Sequence, residues 1–516
     1  MSVYRKIMKH SISRRSFIKM FGLGISAASL TGCMSLFENR DRSKRPNILF
    51  IAVDDMNDWI GPLANHLPQA KTPNLDRLAK KGVTFTNAHC AGPVCHPSRV
   101  SVMTGVHPSR SGIINNVFTS KGTPTWRTGP DSGTGVLKEV VTMSQHFRDH
   151  GYRAFGVGKI YHALQWWDGS ECPAEDWDEY YPSAENPIPK WIRPKLTPDE
   201  KAGLKPGRPL GDEQLFGAKP LQVPEEQTSD YKVVEWAISK LNQKHKDPFF
   251  LACGIFRPHI PWEVPQKYFD MYPLDQIQLP PHQKDDLKDA FSHGREHWHK
   301  WVMENDYWEN LVQGYLASIT YADAQLGRLL DGFEKSEHTE NTIILLWSDH
   351  GMHIGEKENW EKFTLWEEST RVPFFFVVPG MTKSGLKCAC PVSLIDTYPT
   401  LCELTGLPIP KQCDGESLVP LLKDVTKKRS APAVTSFGFY RGIVGHSVRS
   451  ERWRYIKYSN GFEELYDHSE DIHEYANLAG DKKYADVIKE LSKYIPDYTI
   501  PYGISNGACI KVGQTI

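Results

Sequence analysis

Positive charge is not in surplus in this chain: 61 lysines and arginines stand against 62 aspartates and glutamates, for a formal net charge of -1. A nucleic-acid-binding protein would show a basic excess, so that class of partner is excluded. Beyond the N-terminal segment no stretch is long and apolar enough for a transmembrane helix. Internal repeats and low-complexity tracts are also lacking, which excludes solenoids and disordered linkers as the organising feature. What is present is ordinary for a globular protein, with 24% charged and 40% hydrophobic residues. More than 450 residues follow the N-terminal segment, enough for a large core and more than one domain.

The first residues form an address rather than a fold. Ser13-Arg14-Arg15-Ser16-Phe17-Ile18-Lys19 reads as a twin-arginine export signal. The apolar stretch after it, Met20 to Leu30, is too short for a stable bilayer anchor. Leu30-Thr31-Gly32-Cys33 reads as a bacterial lipobox, with a lipid on Cys33 as the one membrane attachment. A cleaved soluble signal or an uncleaved anchor is the other reading. The expectation is an exported periplasmic or cell-surface lipoprotein, with residues 1–33 as signal segment and 34–45 as a polar tether.

Several apolar runs end in groups that carry chemistry. Asn47-Ile48-Leu49-Phe50-Ile51-Ala52-Val53 reads as a buried parallel strand that delivers Asp54 and Asp55 at its C-terminal end, where open α/β sheets bind ligands. Taken alone this pair would be a strand-end cap or a surface turn. Adjacent strand residues point to opposite faces, so both can reach one ion only if the chain has already bent. Thr342 to Trp347 delivers Ser348-Asp349-His350-Gly351 in the same manner. Three carboxylates suit calcium or magnesium better than zinc, and calcium is the expected ion. Cys95-His96-Pro97-Ser98-Arg99 places a soft nucleophile and a fixed cation at the start of a predicted helix, four residues apart and on one face. Tyr152 to Gly158 leads to Lys159 and His162, and Pro248 to Cys253 leads to His259, which prolines flank on both sides. Trp360-Glu361-Lys362 closes the series.

The Cys95 segment, with Thr104-Gly105 after it, resembles the signature of type I sulfatases, C-x-P-S-R followed by T-G. The resemblance spans residues 46 to about 480. It is strongest to the iduronate-2-sulfatase-like members, through Gly254 to Trp262, the Asp349-His350-Gly351 to Lys362 block and Thr364 to Pro373. It implies that Cys95 is oxidised to formylglycine by a sulfatase-maturing enzyme, and that one calcium ion is held by Asp54, Asp55, Asp349, His350 and the modified Cys95. Arg99, Lys159 and Lys362 then neutralise sulfate, His162 deprotonates the formylglycine hydrate, and His259 protonates the leaving oxygen. Lys362 matches the family's sulfate-binding lysine better than Lys357 does. The implied substrate is a sulfated carbohydrate attacked in exo fashion, either a 2-sulfated uronate of a glycosaminoglycan or an algal polysaccharide. The rivals are a phosphate or phosphonate ester hydrolase of the same fold and a non-catalytic glycan-binding protein.

The implied fold is alkaline phosphatase-like α/β, with a large parallel or mixed sheet flanked by helices over 46–425 and a small antiparallel C-terminal subdomain over 426–516. Leu311 to Phe333 carries an apolar stripe at helical spacing, read as core-facing and nothing more. Residues 164–226 read as an excursion over the site mouth. Among the ten cysteines, Cys388, Cys390, Cys402 and Cys413 are the expected source of disulfides, with a Cys-x-Cys metal site as runner-up. The 15 tryptophans admit a sugar-stacking reading, although most should be core.

Overall fold

Strand β1, Asn47–Val53, is buried along its whole length, and its alternate side chains enter two different layers. Leu49, Ile51 and Val53 pack with Val233, Ala237, Leu326 and Leu329 on one side. Ile48, Phe50 and Ala52 pack with Met143, Phe147 and Leu401 on the other. A strand apolar on both faces is what a helix-covered sheet requires. The structure, a computed structural model, describes residues 45–63, 69–116, 135–162, 174–182, 203, 216–439 and 442–497. The export signal, Cys33 and most of the 164–226 excursion lie outside the described residues.

The remaining strands of the large sheet are β2 (Val83–Phe85), β3 (Arg153–Gly158), β4 (Glu179–Tyr181), β5 (Phe249–Ile255), β6 (Thr342–Ser348), β7 (Phe374–Val377) and β8 (Leu386–Cys388). Their order is β8-β2-β7-β6-β1-β5-β3-β4. Only β7 runs antiparallel to its neighbours, so the sheet is mixed. In register, Val53 pairs with Ser348 on one side and Ile255 on the other, and Gly254 pairs with Gly158. The C-terminal ends of β6, β1, β5 and β3 therefore lie side by side. A Cβ on Gly158, whose φ is +75°, would sit 2.1 Å from the Gly254 carbonyl oxygen. The two glycines let the chain leaving β3 cross close over β5.

Three helices frame this edge: α1 (Cys95–Thr104), α2 (Ser229–Leu241) and α3 (Trp308–Glu334). The stripe on α3 is buried as expected, from Tyr315 and Ile319 through Leu326 to Phe333. Trp59, Trp262, Trp347, Trp360 and Trp366 are fully buried, so these five are core residues. Among the described residues no helix is long and apolar enough to cross a membrane.

The C-terminal part forms a four-stranded antiparallel sheet, β9 (Ala433–Gly438), β10 (Val444–Arg449), β11 (Trp453–Tyr458) and β12 (Glu463–Asp467). Sequence reasoning found the last three and missed β9. A buried ion network ties this sheet to the segment after Trp366. Arg449 and Arg454 both bind Glu367, and Arg454 and His468 bind Glu474 at 2.5 and 2.9 Å. Glu367, His468 and Glu474 lie close enough to share a metal ion, but two guanidinium groups already neutralise their oxygens.

The cysteine expectation fails. Cys388, Cys390, Cys402 and Cys413 are free thiols. Cys388, Cys390 and Cys402 are buried in the apolar layer beside β8, with Cys413 packed against it, where a thiol behaves as a small apolar side chain. Nor does Cys388 with Cys390 join any metal-competent group among the described residues.

Candidate active site

The site is assembled from the adjoining strand ends. The Asp54 amide donates to the Ile255 carbonyl oxygen (3.2 Å) and the Asp349 amide to that of Val53 (3.3 Å), so the first residues after β1 and β6 stay in register. Asp55 then turns to φ +60°, which is the bend required for two adjacent aspartates to face one centre. That turn is fixed from three directions. The Asp55 amide donates to Asp349 Oδ1 (3.1 Å), the Met56 amide to Ser348 Oγ (2.9 Å), and the Tyr315 hydroxyl to the Asp55 carbonyl oxygen (2.8 Å). Tyr315 thus does more than fill the core: it positions the aspartate loop. Sequence periodicity could not separate that task from packing, because the tyrosine occupies a core position of α3.

Helix α1 begins at Cys95, after Val94, and ends at Gly105 with φ +72°. Cys95 and Arg99 lie on its buried face, each without measurable exposure. Arg99 Nε donates to Asp349 Oδ2 at 2.8 Å and Nη2 to Asp54 Oδ1 at 2.9 Å. Its Nη1 donates to the carbonyl oxygens of Lys159 and Ile160. Arg99 therefore holds the two carboxylates and the chain leaving β3 together. The cations that face the sulfur are Lys159 and Lys362, each 3.7 Å from Cys95 Sγ. Lys159 also binds Asp54, and Lys362 donates to both oxygens of Asp55 at 2.8 Å. Lys357, by contrast, donates to Asp286 and to the Glu474 carbonyl oxygen, away from this centre.

His350 Nδ1 donates to the Gly351 carbonyl oxygen at 2.9 Å. A carbonyl only accepts, which fixes the proton on Nδ1 and leaves Nε2 as the inward-facing atom. Nε2 lies 3.3 Å from Cys95 Sγ, 3.2 Å from Asp55 Oδ1 and 3.5 Å from Asp349 Oδ2. His259 is oriented by the same logic, with Nδ1 on the Ile260 carbonyl oxygen and Nε2 3.9 Å from Asp55 Oδ2. The His162 ring lies 6.0 Å from that of His96, with Lys159 and Asp54 among its charged neighbours.

Charge in this closed space shifts several groups. Burial would raise the Asp54 carboxyl, but Lys159 and Arg99 outweigh it and hold it well below the ordinary range. Asp55 goes the other way: burial outweighs Lys362 and His350 and pushes it up to about 7. Burial would raise the Cys95 thiol too, yet Lys159 and Lys362 bring it below its usual value. Burial holds His259 and His162 far below the usual imidazole range, and the two lysines add to the effect in both. His350 is the exception, raised to about 9 because Asp349 and Cys95 outweigh its burial.

Ligand atoms of Asp54, Asp55, Cys95, Asp349 and His350 all lie within 4.8 Å of one another, and every one of these residues is buried. Three carboxylates with one inward-facing imidazole nitrogen fit a hard, oxygen-preferring divalent cation, whose binding would displace any proton on that nitrogen. The structure thus brings together the ten residues singled out in the sequence, with His162 and His259 at the rim. Sequence reasoning passed over Ser98, whose hydroxyl donates to the Asp349 carbonyl oxygen, and Ser348. Both lie inside quoted motifs, but nothing in a serine's spacing announces a backbone contact.

Known proteins fit this description. The Sulfatase family model matches residues 46–407, and the model for the C-terminal part of N-sulphoglucosamine sulphohydrolase matches residues 355–499. A sulfatase of Formosa agariphila is 36% identical over 463 residues, covering 88% of this chain and 86% of its own length. Iduronate 2-sulfatase of Mus musculus is 30% identical over 417 residues, covering 71% and 70%. Among solved structures, a phosphonate monoester hydrolase from Silicibacter pomeroyi shares the fold with a TM-score of 0.68 at 20% identity, covering 87% of this chain and 94% of its own. Family match and relatives agree with the site in assigning the chain to the sulfatase family, the sulfuric ester hydrolases.

Proposed function

We propose that this chain hydrolyses sulfate esters of a sulfated carbohydrate, using one calcium ion and a formylglycine made from Cys95. The observation that carries the reading is the placement of Cys95 Sγ between Lys159 and Lys362, within one buried group that also contains Asp54, Asp55, Asp349 and His350. Calcium held there would polarise the ester's sulfate oxygens, and the hydrated aldehyde would supply the attacking oxygen. Lys159 and Lys362 bind the anionic sulfate, because they are the cations facing residue 95. Arg99, expected from the sequence to neutralise sulfate as well, instead uses its guanidinium to hold Asp54 and Asp349 in place. His162 takes a proton on the side of residue 95, and His259 gives one to the leaving oxygen through Nε2.

The substrate class rests on the iduronate 2-sulfatase relative. A 2-sulfated uronate of a glycosaminoglycan is the nearest analogy, an algal sulfated polysaccharide the alternative, and exo action the expected mode. The N-terminal twin-arginine and lipobox segments support export, with a lipid on Cys33 holding the enzyme at a membrane surface. Cys95 is fully buried in the folded chain, so the maturing enzyme must reach it before folding.

Mass spectrometry of the Cys95 peptide, combined with turnover of matched sulfate and phosphonate esters, tests the reading. A peptide lighter than cysteine by conversion of the thiol carbon to an aldehyde, with preference for the sulfate ester, is expected. Preference for the phosphonate would favour the second reading, for which the Silicibacter pomeroyi enzyme offers a precedent in fold. An unmodified cysteine without turnover would leave only carbohydrate binding.

A further inference from the structure

His96 is the one polar residue of the Cys95–Arg99 segment without an assigned task. It is only 6% exposed, and its Nδ1 is buried with no hydrogen-bond partner among the described residues. Leaving such an atom unsatisfied costs stability. Its backbone is nevertheless held firmly. The His96 amide donates to Asn116 Oδ1 (2.9 Å), the Asn116 amide donates to Asn115 Oδ1 (2.7 Å), and Asn115 Nδ2 donates to the Gly438 carbonyl oxygen (2.8 Å). The ring stands edge-on to His162, with centroids 6.0 Å apart, and it follows directly on the residue that carries the nucleophile. A preorganised backbone, a free polar atom and a position beside the reacting centre together describe a group waiting for a ligand.

Resting on the function proposed above, we infer that His96 is a substrate-recognition residue whose Nδ1 hydrogen-bonds a hydroxyl next to the scissile sulfate ester. A hydroxyl both donates and accepts, so it can satisfy an imidazole nitrogen in either tautomer. Among the described residues no carboxylate faces the His96 ring, which marks it for a neutral polar group rather than a cation. The sulfate itself is left to Lys159 and Lys362.

The test uses His96→Asn and His96→Leu, two side chains of nearly equal size, of which only asparagine keeps a polar atom close to the Nδ1 position. Both are assayed with the full chain on methyl iduronate 2-sulfate, on its 3-deoxy counterpart and on 4-nitrophenyl sulfate. His96→Leu should lose at least about tenfold more kcat/KM on the sugar than on the aryl ester, the scale of one unpaired hydrogen bond to substrate. His96→Asn should recover much of that ratio, and the 3-deoxy sugar should abolish the difference between the two variants. Equal losses on sugar and aryl ester, or equal behaviour of the two variants, would overturn the inference and leave the sulfatase reading standing. If wild type turns over 4-nitrophenyl sulfate but not the sugar, hydroxyl recognition of this kind is overturned as well. Failure of wild type on every sulfate ester would instead bring down the reading on which the inference rests.

Discussion

The Lys362 ammonium group lies 2.8 Å from each carboxylate oxygen of Asp55, and it reaches that position from a strained backbone. Glu361 and Phe363, on either side, have φ of 67° and 78°, conformations that cost non-glycine residues about 1 kcal/mol or more each. Contacts on both flanks hold the strain in place. Arg295 Nη1 pairs with Glu361 Oε2 at 2.5 Å, its guanidinium lies over the Phe363 ring, and the Phe363 amide donates to the Pro93 carbonyl oxygen.

Replacing Lys362 with methionine should therefore lower kcat/KM for a sulfate ester by about 100-fold or more, the usual consequence of losing one preorganised charge at a reacting centre. Lys362→Arg should not restore it, because a planar guanidinium cannot take the place of an ammonium between Asp55 and Cys95. Steady-state kinetics on both variants decide the matter. A loss under about tenfold in Lys362→Met would remove the lysine from the site.

Metal removal gives a second check. With three carboxylates in the group, chelation should abolish turnover and calcium should restore it, whereas zinc alone should not. Calcium should also raise the thermal midpoint of the wild-type chain, since a ligand bound only by the folded state stabilises it. Asp54→Ala and Asp349→Ala should both be inactive and should lose the calcium-dependent rise. Each of these carboxylates also anchors Arg99, so their midpoints should fall even without metal. A calcium-dependent rise that survives in both variants would place the ion elsewhere.

The strand ends were legible in the sequence because the signal there is dense: an apolar run followed at once by carboxylates admits few structures. Asn47–Val53 and Thr342–Ser348 are therefore found where the sequence puts them. The bend at Asp55 followed from the alternation of side chains on a strand. Strand β7 was not legible, because Phe374–Val377 is short and reads equally well as any buried turn. That one strand makes the sheet mixed. Strand β9 was missed since Thr435 and Ser436 interrupt its apolar pattern. The thiols misled for a different reason: clustering along the chain says nothing about whether the sulfurs face each other. His96 was invisible as well, since only the folded structure shows that its Nδ1 has no partner among the described residues.

The ion network behind the C-terminal sheet makes stability depend on pH. Burial would raise Glu474, but Arg454 and His468 outweigh it and bring the carboxyl down to about 2, below the ordinary 4.5. A depressed carboxyl stabilises the folded state above its unfolded value, and that contribution is lost as pH falls from about 4.5 towards 2. Glu474→Gln should be less stable at neutral pH by about 3 kcal/mol or more, because Arg454 is left short of a buried partner. Its thermal midpoint should then fall less steeply than that of wild type between about pH 5 and pH 3. Equal slopes for the two chains would show that Glu474 is not depressed in the folded state.

The two histidines at the rim can be told apart by the leaving group. His259 presents Nε2 to the site while Nδ1 is bound to the Ile260 carbonyl oxygen, a geometry that allows one proton to pass outward from Nε2. Burial, Lys362 and Lys159 keep the ring neutral at rest, so it must take up its proton when the anionic ester offsets the lysine charges. If His259 is the acid, His259→Ala should hurt most on a sugar sulfate, whose alkoxide is a poor leaving group. It should hurt least on 4-nitrophenyl sulfate, whose phenolate departs without a proton. If His162, three residues beyond Lys159, acts on residue 95 instead, the loss in His162→Ala should be similar for both esters. The quantity to compare is the ratio of the two losses within each variant, which cancels any general damage to the site. Equal ratios, or a stronger leaving-group dependence in His162→Ala, would reverse the two assignments.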